Sequence, residues 1–197
     1  MPIGGFDTET LLQRMVDAVE LVRQRLLRAS GALAKAGVDY AVVGGNAVAT
    51  WVATVDRAAV RNTQDVNILI RRSDFDIVKR ALESVGFVDC NVAGVDLFLD
   101  GADASPRDAV HVIFAGEYVR PGEPAVNPDV TESVADKEFR LLNLDALVRI
   151  KLTAFRDKDR THLRDLIGIG LVDQSWTSSL PPALAERLQS ILDTPDG

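Results

Sequence analysis

The stretch YAVVGGNAVATWV, residues 40–52, and the stretch NTQDVNILI, residues 62–70, decide how this chain is expected to fold. The first begins as a short apolar strand, turns at two glycines and continues as a helix over about 46–55. The second opens on polar residues and becomes an alternating strand over 65–70. This order places the glycine turn beside the polar start of the second strand.

Helices and strands are also expected on both sides of this centre. Apolar residues at helical spacing predict a long amphipathic helix over about 8–36, which Gly37 ends. Ser73 and Asp76 resemble a capping box that opens a further helix, which Gly86 ends. Later strands are expected at 87–92, 95–99 and 109–114.

The character of the sequence changes after residue 118. Three prolines within 118–130 predict a loop or linker there. Asn143 is expected to cap a helix that runs through Lys151. Two more helices are expected, at 157–168 and from Pro181-Pro182 to about 192.

The later strands follow one another without crossover helices, which indicates an α+β fold rather than a doubly wound one. We expect a mixed sheet core with flanking helices and a C-terminal helical segment. The predicted division is a core with the N-terminal helix over 1–118, a Pro-rich linker over 119–130 and a helical segment over 131–197. The last segment packs either separately or with the core as one domain.

Composition narrows the classes of function. The chain has 197 residues and a net charge of −7, and no apolar run approaches the roughly 20 residues that cross a bilayer. We therefore expect no membrane association and no broad binding of nucleic acid, although a local basic strip remains compatible with this charge. The single Cys90 cannot form an internal disulfide, so a cytoplasmic, reducing location is expected.

Two features of the centre indicate phosphate and metal chemistry. Gly44 and Gly45 at a strand-to-helix turn let the backbone approach a phosphate, and the first helical N–H groups can donate to it. A plain structural turn gives the same pattern. Asp65 and Asn67 are two apart on one strand, so their side chains share a face on which oxygens could hold Mg²⁺. A polar face directed to solvent explains that spacing too.

Gly44-Gly45 and Asp65-Val66-Asn67 together resemble the nucleotidyltransferase superfamily, particularly its AbiEii-like and minimal bacterial members. The segment KLTAFRDKD, residues 151–159, looks like the Lys-rich helical signature that often follows the core in such proteins. The resemblance covers roughly residues 40–165. It implies metal-dependent transfer of a nucleoside monophosphate from an NTP to a hydroxyl, with Mg²⁺, or Mn²⁺ in its place, as the cofactor.

The resemblance also implies roles for individual residues. Gly44 and Gly45 would cradle the β- and γ-phosphates, and Asp65 would ligate the metal. The implied nucleotide-binding set is Gly44, Gly45, Asn46, Thr63, Gln64, Lys151, Arg156 and Lys158. The implied catalytic set is Asp65, Asn67 and His111, of which the first two are also the metal ligands.

Two residues depart from the superfamily's pattern. Asn67 stands where a second carboxylate is expected, and His111 stands where the third would align. A neutral amide keeps an oxygen ligand but removes a full charge, and imidazole is a poor partner for Mg²⁺, though tolerable for Mn²⁺. Either the chemistry is altered, with His111 as a general base, or the site only binds, or Asn67 is an introduced replacement for aspartate. His111 as a hydrogen-bonded structural residue is the plainer alternative.

The basic residues near the end of the resemblance have two interpretations. Lys151 and Lys158 share a helical face if one helix continues across them, and with Arg156 they could form a cationic wall for phosphates. The alternative is salt pairing with the neighbouring acidic residues, which are Asp157, Asp159 and Asp165.

Three functions remain open. The first is the enzyme described above, acting on a small molecule, a protein or a tRNA end, within a toxin–antitoxin or phage-defence pair that includes an antitoxin-type protein partner. The second is a nucleotide-binding pseudoenzyme, favoured by Asn67 and His111. The third is a protein-interaction module that has kept the fold alone.

Overall fold

Six α-helices and a seven-stranded sheet make up the fold of residues 8–195, the part of the chain that this computed structural model describes. The elements in chain order are α1 Thr8–Lys35, β1 Tyr40–Val43, α2 Gly44–Ala53, β2 Val66–Ile70, α3 Phe75–Glu83, β3 Val88–Val92, β4 Val95–Leu99, β5 Ala109–Phe114, β6 Ser133–Ala135, β7 Arg140–Leu142, α4 Leu144–Ala154, α5 Asp157–Gly168 and α6 Pro182–Leu192. None of the described helices is long and apolar enough to cross a membrane.

The sheet is mixed, and its strand order is β3-β4-β5-β2-β1-β7-β6. The central pair β1–β2 is antiparallel, whereas β2–β5 and β1–β7 are parallel. A mixed sheet with flanking helices confirms the predicted α+β class. Val43 pairs with Asn67, and Asn67 pairs with His111, so one row across three strands brings two predicted site residues, Asn67 and His111, next to the residue that precedes Gly44.

Helices cover both faces of the sheet. On one face α1 and α3 pack against β2, and their buried apolar residues join one core cluster. On the other face α2, α4, α5 and α6 form a second cluster. β1 contributes residues to both clusters, because alternate residues of a strand point to opposite faces. Val42 belongs to the first cluster, and Ala41 and Val43 belong to the second.

Two local predictions are wrong. The helix after the glycines begins at Gly44 itself and not at residue 46, so both glycines lie in its first turn. The capping box at Ser73 and Asp76 is absent: α3 follows a short 3₁₀ turn over 72–74, and its N-cap residue Asp74 makes no side-chain capping bond. Ser73 donates its hydroxyl to Asp74 instead, at 3.3 Å.

The segment after the linker is not purely helical, because β6 and β7 join the sheet before α4 begins. The predicted division at 119–130 stays a prediction, and residues 1–7 and 196–197 of its outer segments lie outside the described part. α4 and α5 are separate helices. Phe155 between them adopts a left-handed conformation with φ 48°, so Lys151 and Lys158 do not share the face of one continuous helix.

Candidate functional site

The two glycines at the start of α2 press directly against the segment that leads into β2. Gly44 has φ +70°, and a Cβ atom there would lie 2.7 Å from Nδ2 of Asn67. A Cβ on Gly45 would lie 2.7 Å from Oγ1 of Thr63. Both approaches are closer than a real Cβ atom tolerates, so contact with Thr63 and Asn67 requires glycine at both positions.

Asp65 lies at the centre of this contact and is held by four neighbours. Its Oδ1 accepts a hydrogen bond from Thr63 Oγ1 at 2.8 Å, and its Oδ2 accepts one from Asn67 Nδ2 at 3.0 Å. Its backbone carbonyl accepts a bond from Asn46 Nδ2 at 2.8 Å. Nζ of Lys158 lies 3.9 Å from Oδ2. The start of α2 and the start of β2 therefore form one site.

The environment of Asp65 keeps its carboxylate ionised. Burial alone would raise the pKa of this carboxyl group, but the hydrogen bonds from Asn67 and Thr63 and the positive charge of Lys158 outweigh it. The resulting pKa lies below the usual value for aspartate. At neutral pH the site thus carries a negative charge that its own neighbours partly compensate.

The N-terminus of α2 is electrostatically suited to an anion. Val43 occupies the N-cap position and offers no side-chain cap, and the first turn holds no acidic residue. The first N–H groups of a helix lack intrahelical partners and carry a partial positive charge. Phosphate groups bind readily at such a helix end.

His111 and Asp65 line the same cavity. This cavity has a volume of about 310 Å³ and is bounded by Gln64, Asp65, Pro106, Arg107 and His111. Nε2 of His111 lies 3.1 Å from the carbonyl oxygen of Pro106, which accepts a hydrogen bond from this nitrogen in the tautomer that is protonated at Nε2. Gly44 and Gly45 contact Asn67 and Thr63 on either side of Asp65, but they are not among the residues that line the cavity.

The three predicted basic residues separate into two groups. Lys158 lies beside Asp65, as described above. Lys151 is buried and pairs with Asp159 at 2.9 Å, and Arg156 pairs with the same carboxylate at 2.7 Å. For Lys151 and Arg156 the structure agrees with salt pairing, so we keep Lys158 alone in the candidate site. The other two acidic residues of that alternative pair elsewhere, Asp157 with Arg160 and Asp165 with Arg61.

The side chains at the site do not fit a pair of metal ions. Two-ion chemistry needs carboxylates that bridge or flank both cations. Asp65, Asn67 and His111 offer one carboxylate, one amide and one imidazole. Within residues 8–195 there is no group of three or more His, Cys, Asp or Glu side chains placed to hold a metal ion. Both oxygens of Asp65 already accept hydrogen bonds.

Replacing Asn67 by aspartate should therefore strengthen the binding of Mg²⁺ and Mn²⁺ by about tenfold or more, because it adds a full charge next to Asp65. The measurement is calorimetric titration with each cation. Asn91→Asp is the matched control, since Asn91 also donates to an aspartate, Asp96, at 2.6 Å but on exposed β3. Equal cation affinity in wild type and Asn67→Asp would show that Asn67 is not a ligand position.

Sequence reasoning missed three residues of the site. Pro106 and Arg107 line the cavity from the loop between β4 and β5, which no periodic pattern marks. Arg25 of α1 is buried and donates to the carbonyl of Gln64 at 3.1 Å. Buried arginines are uncommon unless they are paired. The cluster Arg23, Arg25 and Arg28 beside the apolar stripe of α1 was the available signal.

His162 on α5 should titrate far below an ordinary histidine. Burial lowers its pKa to about 4, helped by the charge of Lys151, and its Nδ1 makes no hydrogen bond to any described residue. Between about pH 6.5 and pH 4, His162 is protonated in the unfolded chain but stays neutral in the folded chain. The stability of the fold therefore falls as the pH drops through that window. Ring titration by NMR measures this pKa directly. Titration near 6.5 would contradict the buried, neutral state.

Comparison with known proteins supports the fold. A nucleotidyltransferase-like antigenic protein from Paracoccidioides brasiliensis superimposes with a TM-score of 0.55 at 14% identity, covering 91% of each chain. The antibiotic-resistance factor ANT(2'')-Ia in solution superimposes with a TM-score of 0.53 at 13% identity, covering 91% of this chain and 92% of that one. No family model and no curated protein matches the sequence.

These likenesses define the class of protein at the level of its fold. The chain has the fold of ANT(2'')-Ia and of a nucleotidyltransferase-like protein, which is the fold that the resemblance implies. Membership of the AbiEii-like group in particular stays a prediction.

Proposed function

We propose that this chain binds a nucleoside triphosphate at the start of α2 and transfers its nucleoside monophosphate to a hydroxyl acceptor. The observation that carries the proposal is the packing of the uncapped start of α2 against the Asp65 segment, with Lys158 beside it. Backbone N–H groups and an ammonium would face the phosphates, and the chain shares its fold with a nucleotidyltransferase-like protein.

The cavity beside Asp65 limits the size of the acceptor group. The cavity of about 310 Å³ beside Asp65 is at the small end of ligand pockets, which favours a single small group over a long polymer track. A small molecule, a protein side chain or a tRNA end would each present such a group. The cation cofactor and the antitoxin-type partner stay predictions.

Binding without transfer is the second candidate, and a specific observation favours it. Asp65 is a carboxylate, whereas the other two residues predicted to be catalytic, Asn67 and His111, carry an amide and an imidazole. A site that has lost charge can still hold a nucleotide through backbone N–H groups and Lys158 while it no longer promotes the departure of pyrophosphate.

Calorimetric titration with ATP, CTP, GTP and UTP, each with Mg²⁺ and with Mn²⁺, tests both candidates when it is combined with an assay of pyrophosphate release. Binding and release that both disappear in Asp65→Ala support transfer. Asp136→Ala, an exposed aspartate between β6 and β7, is the control. Binding without release supports the second candidate. Absence of binding with all four nucleotides would overturn both and leave the interaction module.

A further inference from the structure

One arginine from α1 connects the two walls of the cavity beside Asp65. Nη1 of Arg25 donates to the carbonyl oxygen of Gln64 at 3.1 Å. Nε donates to Oδ2 of Asp100 at 3.0 Å, and Nη2 donates to Oδ1 of Asp108 at 3.5 Å. The side chain of Arg25 is 5% exposed, so its guanidinium is shielded from water.

The partners of Arg25 belong to different walls. Gln64 precedes Asp65 and lines the cavity from the β2 side. Asp100 and Asp108 are the two ends of the loop between β4 and β5, joined by a backbone hydrogen bond of 3.2 Å. This loop carries Pro106, which contacts His111, and Arg107, and both loop residues line the cavity.

We propose that Arg25 is a positioning residue that sets the width of this cavity and the orientation of His111. The proposal rests on the proposed function in that the cavity is part of the same site. Arg25 does not line the cavity, and it contacts neither the carboxylate of Asp65 nor the ring of His111. It acts through the Gln64 carbonyl on one side and through the loop that holds Pro106 on the other.

Arginine suits this task better than any other side chain. Its planar guanidinium presents several donors in fixed directions, so one side chain can bond three acceptors on two segments. A lysine ammonium is a point charge on a flexible stem and cannot fix three acceptors in that way. Burying such a cation is costly unless it is paired, and the carboxylates of Asp100 and Asp108 supply the pairing.

The chain has two histidines, which makes the test specific. In Arg25→Met the Gln64 carbonyl and Asp108 lose their tie to α1, and Asp100 keeps only its pairing with Arg28, so the ring nitrogen signals of His111 in an NMR spectrum should shift. Those of His162, on α5, should stay as in the wild type. Affinity for ATP should fall about tenfold, as expected for the loss of charge-assisted hydrogen bonds that hold a site. Arg25→Lys should restore the His111 signals in part.

Arg28→Met is the matched control. Arg28 lies on the same helix, pairs with the same Asp100 and stacks over Phe87 with its guanidinium carbon 4.5 Å from the ring centre. The Arg28→Met substitution should leave the ring nitrogen signals of His111 unchanged. If Arg25→Met does not fold, Asp108→Asn replaces it, because Asp108 is 55% exposed and its loss removes one tie to the loop.

Unshifted His111 signals in folded Arg25→Met, or equal shifts in Arg28→Met, would overturn the proposal. The histidine measurement needs no nucleotide. If the wild type binds no nucleotide but His111 responds to Arg25, the proposed function fails while the positioning role stands.

Discussion

Asp159→Asn should lower the free energy of unfolding by about 3 to 5 kcal/mol, because it leaves the buried ammonium of Lys151 without its carboxylate. The two side chains are 1% and 5% exposed, and their charged atoms lie 2.9 Å apart. Arg156 donates to the same carboxylate from its side chain and from its backbone N–H. A single carboxylate thus joins the end of α4 to the start of α5.

This junction matters for the site because α5 carries Lys158. The chain turns at Phe155 in a left-handed conformation, and the bonds to Asp159 hold that turn. Lys158 follows within the first turn of α5 and reaches to 3.9 Å from Asp65. We therefore expect Asp159→Asn to weaken nucleotide binding as well as stability.

The ion pair of Lys151 and Asp159 should also make the stability of the wild type depend on pH in acid. Burial would raise the pKa of Asp159, but the charge of Lys151 and the hydrogen bond from Arg156 outweigh it and lower the pKa. A carboxylate with a lowered folded pKa stabilises the protein above its unfolded pKa, and this contribution is lost as pH falls through the folded value. Asp159→Asn should remove that part of the acid sensitivity.

Denaturant unfolding at pH 7 measures the loss. Asp157→Asn is the control, since Asp157 is 92% exposed and pairs with Arg160 at the surface, and it should change stability by about 0.5 kcal/mol or less. Lys151→Met combined with Asp159→Met should recover most of the loss, because an apolar pair leaves no buried charge unpaired. Equal losses in Asp159→Asn and Asp157→Asn would contradict the buried ion pair.

Gly44→Ala should cost about 2 to 4 kcal/mol of stability and disturb the site at the same time. Part of the cost is the left-handed backbone, since Gly44 has φ +70°. The rest comes from the new Cβ, which would lie 2.7 Å from Nδ2 and 3.0 Å from Cβ of Asn67. Asn67 must then move, and Asp65 loses the hydrogen bond that it accepts from Asn67.

Gly37→Ala separates the two contributions. Gly37 has a similar backbone, φ +68°, but a Cβ there meets nothing within 4 Å. We expect it to cost about 1 kcal/mol, the backbone part alone. Denaturant unfolding of both variants measures the difference. Equal costs would show that α2 does not press against Asn67 as described.

Much of the fold could be predicted because its elements carry strong local signals. Helix α1 has many turns of periodic apolar residues and ends before Gly37, whose positive φ suits glycine. Asn143 was predicted to cap α4, and its side chain accepts the N–H of Ala146 at 2.8 Å. β6 and β7 were missed because three residues are too few to show a period.

The site was harder to predict, since its contacts join distant parts of the chain. The order of elements placed Gly44 near Asp65, because adjacent strands carry them. It gave no sign that Thr63 and Asn67 would donate to Asp65. Nor could it reveal that Arg25, from another helix, would tie Gln64 to the loop after β4. Such partner choices are fixed by tertiary packing, which single-sequence patterns do not encode.

The central claim is that the start of α2 and the Asp65 segment bind one nucleotide together. Backbone amide shifts recorded by NMR during titration with ATP and Mg²⁺ test it most directly. The account predicts that the largest shifts occur at Gly44, Gly45 and Asp65, with smaller ones at Lys158 and His111. Shifts confined to another surface, such as the groove between Arg61 and Arg164, or no shifts at saturating ATP, would contradict it.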